Sequence, residues 1–579
     1  MTRRYPSSTI RWGLLPAVLL FVWTSSGQAD TAIFSSLDRL HPVYATQGMV
    51  ATQEALATGI GLDILKQGGN AVDAGVAIGF ALAVTLPRAG NLGGGGFMLI
   101  HDAAKKETVA LDFREMAPLA ATRDLYLDEQ GEVDEKRARF SYLSVGVPGT
   151  VAGLSLAAER YGTLPLTTLL GPAIRLADYG FPVSEGLALS LKEAKERMLP
   201  WPESMKIFFA SDGMPYEPGE TLVQKDLATS LKAIADHGPQ AFYQGDIAQK
   251  IAADMKSNGG LITLDDLRKY QPIVREPVRG TYRGYEIVSM PPPSSGGIHL
   301  IQILNILENY PIGELGHNGA ATLHRMAEAM KLAYADRSEY LGDPDFVKVP
   351  MNGLISKRYA AELVKLIDPE RARPSNDIKP GNPVPYESDQ TTHFSVMDKQ
   401  GNVVSTTYTL NFSYGAGITA AGTGILLNNE MDDFSAKPGV PNAYGLIGGE
   451  ANAIGPGKRP LSSMSPTIVF KDGKPFLATG SPGGSRIITT VLQIVMNVID
   501  HGMNIAEATV APRVHHQWLP DELRIEEGIS PDTVRLLEQM GHHVKVQDAM
   551  GSTQSVMRRE EGLYGYSDTR IRDALTLGY

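Results

Sequence analysis

The run from Asp389 to Ser395, which reads Asp-Gln-Thr-Thr-His-Phe-Ser, most constrains what this chain can fold into. A polar, proline-containing stretch, 368–390, precedes it, and alternating strand-like sequence with a second strand at 403–410 follows it. A proline-rich spacer that leads directly into a β-hairpin is common between elements, but a threonine pair at the join is not. A backbone cut before Thr391 would give that residue a hydroxyl nucleophile and a free α-amine to act as its base.

The N-terminus has the pattern of an export signal. Three arginines flank the start of an apolar run, Trp12 to Trp23, and Gly27-Gln28-Ala29 is a small-residue cleavage site. The run is shorter than the roughly 20 residues that span a bilayer, although an uncleaved anchor is the alternative. We therefore predict that 1–29 is a signal peptide and that the mature protein is soluble and periplasmic.

Charge and cysteine content exclude several classes of protein. A formal net charge of -11, without a basic cluster, argues against nucleic acid as a partner. The absence of cysteine excludes disulfides and thiolate catalysis. No Gly-x-Ser-x-Gly elbow and no His-Glu-x-x-His motif occurs, which argues against serine and zinc hydrolases of those types. The adjacent pairs His515-His516 and His542-His543 point apart, so we predict no metal ligand set and no cofactor.

The regular elements follow from apolar spacing. Helical periodicity begins at Ala51 and, after a break at Gly68-Gly69-Asn70, resumes from Ala71 to Leu86. Further helices are predicted at Thr150–Tyr161, Leu166–Tyr179, Ala228–His237, Asp246–Ser257, Ala320–Tyr340 and Arg486–Ile499, hairpins at 97–113 and 467–479, and strands at 278–288 and 544–546. The rigid loop 291–297 has no role that its sequence reveals.

Two glycine-rich segments are candidates for close backbone contacts. Gly93 to Gly96 lacks the spacing of a phosphate-binding loop, so we predict a tight approach to a neighbouring strand or ligand. Arg114 follows the adjacent hairpin and is well placed to hold a carboxylate, although an isolated arginine there is more commonly a surface ion pair. Gly480 to Ser485 links a strand to the start of a helix, where free N–H groups bind an anion or an oxyanion.

The segment 425–434 is dense in acids and amides, which without EF-hand spacing indicates a cation site or a solvated turn. The glycine- and proline-rich segment 438–449, with the single aromatic Tyr444, has the composition of a mobile covering loop.

Six motifs together resemble the γ-glutamyltranspeptidase family, in chain order from about residue 45 to the C-terminus. They are Gly68–Ala74, Leu111–Glu115, Asp389–Ser395, Leu427–Ser435, Arg459–Pro466 and Gly480–Arg486. The resemblance implies an α+β fold, a four-layer αββα sandwich of the N-terminal-nucleophile hydrolase class. It also implies self-cleavage at Gln390–Thr391 into a large subunit, 30–390, and a small subunit, 391–579, which remain a heterodimer. The run 368–390 is then expected to swing away and open the pocket.

The resemblance further implies a role for each matching residue. Thr391 matches the nucleophile, Thr409 the hydroxyl that supports it, and Gly483 and Gly484 the oxyanion donors. Arg114, Ser462 and Ser463 match the grip on the substrate α-carboxylate, Asn411, Glu430 and Asp433 match the cradle for its α-ammonium, and Tyr444 matches the gate of a lid. Position 430 is glutamine in some relatives and glutamate here, which keeps the cradle anionic.

The implied reaction is γ-glutamyl transfer from glutathione or another γ-glutamyl amide to water, an amino acid or a dipeptide, through an ester on Thr391. The alternatives are a glutaryl-type β-lactam acylase of the same fold and, from another class, a processed but inactive periplasmic glutamate- or peptide-binding protein. Glutaryl lacks the α-ammonium, so Asp433 and the lid segment favour the transferase.

Overall fold

The computed structural model describes residues 1–2, 39–383 and 395–579. Residues 3–29 of the predicted signal peptide and Thr391 itself lie outside the described residues. Leu40 to Tyr579 form one compact unit. No helix in the described ranges is both long enough and apolar enough to cross a membrane.

Two seven-stranded antiparallel sheets form the centre of this unit. In spatial order, the first sheet contains Val43–Ala45, Gly562–Ser567, Gln554–Arg559, Lys474–Thr479, Thr467–Lys471, Tyr285–Ser289 and Val278–Tyr282. The second contains Leu575–Gly578, Gly48–Thr52, Ser395–Asp398, Val403–Thr409, Gly95–Asp102, Glu107–Phe113 and Ile273–Arg275. Both sheets combine strands from before and after the Gln390–Thr391 bond, so the two predicted subunits share one core.

Short strands make up three smaller sheets. They pair Phe181–Pro182 with Thr221–Leu222, Thr419–Ala420 with Ile425–Leu426, and Leu523–Ile525 with both Val514–His515 and Val544–Val546.

Three apolar cores separate four layers. Between the two sheets, Met49, Phe97 and Met397 of one sheet pack against Val288 and Ile468 of the other. A second core lies between the second sheet and helices Ala55–Lys66, Ala71–Thr85, Thr150–Tyr161, Leu166–Tyr179, Glu185–Met198, Pro202–Phe208, Lys225–His237, Gln240–Tyr243, Asp246–Ser257 and Leu264–Lys269. A third lies between the first sheet and helices Gly296–Leu307, Ile312–Leu315, Ala320–Tyr340, Met351–Leu354, Lys357–Val364, Arg486–Ile499, Ile505–Val510 and Pro531–Gln539. A short helix, Glu135–Arg139, lies in a loop. This order is αββα, which confirms the predicted fold.

The sequence placed most of the long helices correctly and two segments wrongly. Residues 48–52 are a strand between two others, and the helix begins only at Ala55, after Glu54 accepts hydrogen bonds from the first free N–H groups. The segment 278–289 is a tight hairpin rather than one strand, because Arg283 and Gly284 turn the chain with positive φ. The predicted hairpins at 97–113 and 467–479 are present.

The glycines at 93–96 pack directly against other backbone segments, as predicted. A Cβ at Gly94 would lie 2.0 Å from the Thr409 carbonyl oxygen, and one at Gly93 would lie 2.1 Å from that of Leu426. Asn91 bridges the same contact, since its side chain accepts from Gly94 N and donates to the Thr409 carbonyl at 2.8 Å. The glycine loop therefore positions the end of the strand Val403–Thr409.

We expect Gly94→Ala to lower the thermal midpoint of the protein substantially, because the added methyl group would collide with backbone rather than with a movable side chain. Gly59→Ala is the matched control. Gly59 lies inside the helix Ala55–Lys66 with no atom within 4 Å of the added Cβ, so this change should stabilise by about 0.5–1 kcal/mol. Equal midpoints for the two variants in thermal unfolding would contradict the close approach.

The polar run before the predicted cut is held against the helix Ala320–Tyr340 as far as the structure describes it. Side chains along one side of this helix bind backbone groups of the run: His324 binds the Asp368 carbonyl, Glu328 and Lys331 bind Arg373, and Asp336 and Tyr340 bind Gly381. Trp518 also donates to the Ser375 carbonyl at 2.8 Å. Movement of 368–390 after the cut stays a prediction, and for 368–383 it would have to break these contacts.

Candidate active site

One cavity of about 230 Å³ brings together residues that lie far apart in the sequence. Its lining includes every predicted site residue that the structure describes: Arg114, Thr409, Asn411, Glu430, Asp433, Tyr444, Ser462, Ser463, Gly483 and Gly484. Thr391 lies outside the described residues. The cavity lies at the ends of strands from both central sheets, and loops from several distant parts of the chain line it.

Arg114 lies just beyond the strand Glu107–Phe113, and its side chain is fully buried. Its guanidinium donates to Glu430 Oε1 through Nη1 and to Asp433 Oδ2 through Nη2, the latter at 2.6 Å. Its Nε donates to the Pro460 carbonyl at 3.2 Å. The surface ion pair expected of an isolated arginine is therefore wrong, because Arg114 is held in a buried ion-pair network.

Glu430 and Asp433 project from the 3-10 turn Glu430–Asp433. The amide of Asn428 builds this turn by accepting from Glu430 N at 3.0 Å and donating to the Gly93 carbonyl at 2.8 Å. Glu430 is buried, so the interpretation of this segment as a solvated turn is wrong. Asp432 points away from the cavity and pairs with Arg139 at 3.1 Å.

Burial and neighbouring charges shift the pKa values of this network. Burial lowers the pKa of the Arg114 guanidinium, but the carboxylates of Glu430, Asp433 and Glu115 raise it on balance. Burial raises the pKa of Glu430 well above its usual range and that of Glu115 to about 7, although Arg114 opposes both shifts. Burial and the Asp433 and Glu430 charges likewise raise the pKa of the Tyr444 phenol. Arg114 therefore lies among three acids, Glu430, Asp433 and Glu115.

The loop 291–297, whose role the sequence did not reveal, supports the two serines. Ser462 N donates to the Pro293 carbonyl at 2.8 Å, and Ser295 N donates to the Ser462 carbonyl at 2.8 Å. The buried Arg337 links the same groups, since it donates to Ser295 Oγ at 2.9 Å and to Ser463 Oγ at 3.2 Å. The two serine hydroxyls and two guanidinium groups thus lie around one end of the cavity.

At the other end, Thr409 Oγ1 accepts from Asn411 N at 2.8 Å. Asn411 has φ 72, a conformation that favours glycine, and its Nδ2 donates to the Asn429 carbonyl at 3.0 Å. The Tyr444 hydroxyl donates to Asn411 Oδ1 at 2.7 Å, so the segment 438–449 contacts this end of the cavity.

Gly483 and Gly484 precede the helix Arg486–Ile499, and their carbonyls accept from the N–H groups of Arg486 and Ile487 in its first turn. Both have positive φ, 137 and 57, and neither N–H donates to any other residue in the ranges that the structure describes. A Cβ at Gly484 would meet the Tyr444 ring at 2.7 Å. The geometry is suited to an oxyanion, because two free donors lie at a helix N-terminus beside the cavity.

A separate group, His324, Glu328 and His542, places possible metal-ligand atoms within 4.8 Å of one another. His324 Nδ1 and His542 Nε2 are 2.8 Å apart and share a proton in a hydrogen bond. Glu328 accepts from the buried ammonium of Lys331 at 2.8 Å, and that charge repels a bound cation. We describe this group as a hydrogen-bonded cluster that supports the run 368–383.

Glu115, Asn91 and Arg337 were not predicted to contribute to this site. Glu115 lies inside a motif that carried the resemblance, but the motif gave no reason to assign Glu115 a role of its own beside Arg114. Arg337 was detectable in principle, because the helix Ala320–Tyr340 places charged residues at buried positions, which is rare without a function.

Comparisons with known proteins agree with this geometry. The family described as Gamma-glutamyltranspeptidase matches residues 57–577. The chain is 61% identical to the glutathione hydrolase proenzyme of Escherichia coli (strain K12), over 94% of this chain and 93% of that protein. Among solved structures, a cephalosporin acylase from Bacillus halodurans aligns with a TM-score of 0.84 at 30% identity, covering 95% of this chain and 99% of that one. The γ-glutamyltranspeptidase of Helicobacter pylori aligns with a TM-score of 0.57 at 50% identity, covering 60% and 97%. This chain belongs to the γ-glutamyltranspeptidase family.

Proposed function

We propose that this enzyme is a glutathione hydrolase and γ-glutamyltransferase that is made as a precursor and cleaves itself before Thr391. Thr391 then attacks the γ-amide of a donor such as glutathione, and the γ-glutamyl ester is passed to water, an amino acid or a dipeptide. One observation carries the proposal: a single cavity presents a guanidinium, two hydroxyls, a carboxylate pair and two free backbone donors. A γ-glutamyl group carries one anion and one cation on its α-carbon, and this lining is complementary to both.

The ion pairs of Arg114 suggest how the donor binds. Arg114 contacts Glu430 and Asp433 directly. A γ-glutamyl group would insert its α-ammonium against the two acids and its α-carboxylate against Arg114, Ser462 and Ser463. The donor thereby replaces the ion pairs between Arg114 and the two acids with new pairs at each of its own charges. A donor that lacks either charge leaves a buried charged group of the enzyme unpaired, which strongly reduces turnover of that donor.

The position of Thr409 supports Thr391 as the nucleophile. The strand Ser395–Asp398, which begins four residues after Thr391 in the sequence, pairs with the strand Val403–Thr409, and Thr409 lines the cavity. Gly483 and Gly484 then supply the oxyanion donors, Thr409 orients the attacking hydroxyl, and the α-amine of Thr391 moves the proton.

Self-cleavage and assembly are part of the same proposal. The relative from Escherichia coli is named a proenzyme, and the Helicobacter pylori chain matches a share of this chain similar to that of 30–390. Each central sheet contains strands of both predicted subunits, so the fragments would remain a heterodimer after the cut. We also propose removal of the signal peptide and a periplasmic location, from the N-terminal pattern alone.

The acylase alternative remains a specific competitor, because a solved cephalosporin acylase shares this fold. Asp433→Asn distinguishes the two functions. Removing the negative charge should reduce kcat/KM for γ-glutamyl-p-nitroanilide by about 10²-fold or more and leave glutaryl-p-nitroanilide little affected, because only the first donor carries the α-ammonium. Equal losses would mean that Asp433 acts on the fold rather than on the donor.

Asp432→Asn is the matched control, since Asp432 is the adjacent acid and pairs with Arg139 outside the cavity. Its effect on the two donors should be equal. A wild-type enzyme that prefers the glutaryl donor would instead favour the acylase.

A further inference from the structure

Three buried carboxylate oxygens in the site have no hydrogen-bond donor among the described residues. They are both oxygens of Glu115 and Oε2 of Glu430. Glu115 has no exposed surface, and Glu430 is 1% exposed. An ionised carboxylate left without donors in such a place is strongly destabilised, so this arrangement needs an explanation.

The nearby positive charge is too small for the acids around it. Arg114 faces Glu430 and Asp433 directly, and its Nη1 lies 3.6 Å from Glu115 Oε2. The other titratable groups that face the pair are the neutral phenols of Tyr243, Tyr270 and Tyr444. Arg337, the second guanidinium at the cavity, acts on Asp433. Two guanidinium groups therefore face three carboxyl groups, and a proton on one of the carboxyl groups would remove the excess charge.

Glu115 and Glu430 face the same nitrogen of Arg114: Nη1 donates to Glu430 Oε1 and lies 3.6 Å from Glu115 Oε2. Two neighbouring carboxylates repel, whereas a carboxylic acid and a carboxylate form a strong hydrogen bond. A single proton between them satisfies unpaired oxygens of both residues and lowers the net charge.

We propose that Glu115 and Glu430 share one proton, and that Glu115 is thereby a positioning residue for γ-glutamyl donors. The neutral Glu115 donates to Glu430 Oε2 and leaves Glu430 ionised. Glu430 Oε1 then meets Arg114 in the empty site and the α-ammonium in the occupied one. This inference rests on the proposed function and adds a group that does not itself touch the donor.

The number of protons on the pair determines how Glu430 meets the donor. A fully protonated pair leaves Glu430 without the charge that attracts the α-ammonium, whereas a pair with one shared proton keeps that charge. Burial raises the pKa of Glu115 to about 7 and that of Glu430 well above its usual range, so the pair is fully protonated below neutrality and begins to ionise as the pH rises through 7. Donor binding is accordingly weaker on the acidic side and strengthens as the pH rises through that value.

The test uses the full-length, processed enzyme and measures the inhibition constant of L-glutamate between about pH 6 and pH 8.5. Over this range the charges of L-glutamate do not change appreciably, so changes in binding report the enzyme. For the wild type we expect the constant to fall by up to about tenfold per pH unit as the pH rises to neutrality. Glu115→Gln keeps a neutral donor toward Glu430 and cannot ionise, so its inhibition constant should vary less with pH than the wild type's. The amine of Thr391 titrates in both proteins and cancels in the comparison.

Glu115→Leu removes the hydrogen-bond donor to Glu430 Oε2. The KM of this variant for γ-glutamyl-p-nitroanilide should therefore be about tenfold or more above that of the wild type, whereas the KM of Glu115→Gln should be close to the wild-type value. Infrared difference spectra of wild type and E115Q at about pH 8 should contain the C=O stretch of a protonated carboxylic acid, without reference to activity. The proposal is overturned if that band is absent, or if E115Q and the wild type have the same pH dependence. Absence of any γ-glutamyl hydrolysis by the wild type would instead contradict the proposed function, and the infrared result would still decide on the proton.

Discussion

The Thr391→Ala protein is expected to remain one uncut polypeptide without measurable γ-glutamyl transfer. In the proposed cleavage the Thr391 hydroxyl attacks the Gln390 carbonyl carbon, the C–N bond breaks to give an ester, and water releases the two fragments. Alanine has no hydroxyl, so neither the cut nor the free α-amine that would serve as base can form. We expect turnover of γ-glutamyl-p-nitroanilide to fall at least about 10⁴-fold.

Mass spectrometry of the purified proteins provides the measurement, because it reports signal removal and the cut together. Thr392→Ala is the matched control, since it alters the adjacent threonine and leaves the attacking hydroxyl in place. This variant should still yield two fragments. A catalytically competent wild-type enzyme found as one unbroken chain would overturn the scheme.

The sequence was sufficient for the αββα order and for the membership of the cavity. Strong periodicity fixed the helices Thr150–Tyr161, Leu166–Tyr179, Asp246–Ser257 and Arg486–Ile499 to the residue. The close approach at Gly93 to Gly96 was predictable because four consecutive glycines have few other uses. Most of the site residues were predictable because they lie inside motifs that the resemblance matched; Thr409, Asn411 and Tyr444 lie outside those motifs and were carried over from the family by position.

Other features depend on contacts that no local pattern contains. Residues 51–54 have helical spacing, but strands on both sides, from 395–398 and 575–578, extend the strand to Thr52 and delay the helix. Local sequence alone favoured a surface ion pair for Arg114, whereas the resemblance assigned it to the site. Its burial depends on Glu430 and Asp433, which lie more than 300 residues away in the sequence. The run 368–383 has no apolar periodicity, so its sequence does not predict where it packs. Polar side chains of the helix Ala320–Tyr340 bind its backbone and hold it in place.

Arg114→Met should lower both the stability and the activity of the enzyme. The change removes the cation from a site where Glu430, Asp433 and Glu115 converge, and breaking a buried pair typically costs about 3–5 kcal/mol. The acids will take up protons to limit that cost, so we expect a lower thermal midpoint and a midpoint that falls further as the pH rises. Lost binding of the α-carboxylate should reduce kcat/KM by about 10²–10³-fold.

Comparing a glutaryl donor with a γ-glutamyl donor distinguishes the effect of Arg114→Met from that of Asp433→Asn. A glutaryl amide retains the terminal carboxylate but lacks the ammonium, so Arg114→Met should impair glutaryl and γ-glutamyl p-nitroanilides alike, whereas Asp433→Asn should impair only the second. Arg114→Lys is the control for charge: it keeps the cation, loses the two-pronged geometry, and should recover stability more fully than kcat/KM. If Arg114→Met left glutaryl turnover intact, Arg114 would serve to hold Glu430 and Asp433 in place, and the α-carboxylate would be bound by Ser462, Ser463 and the neighbouring Arg337.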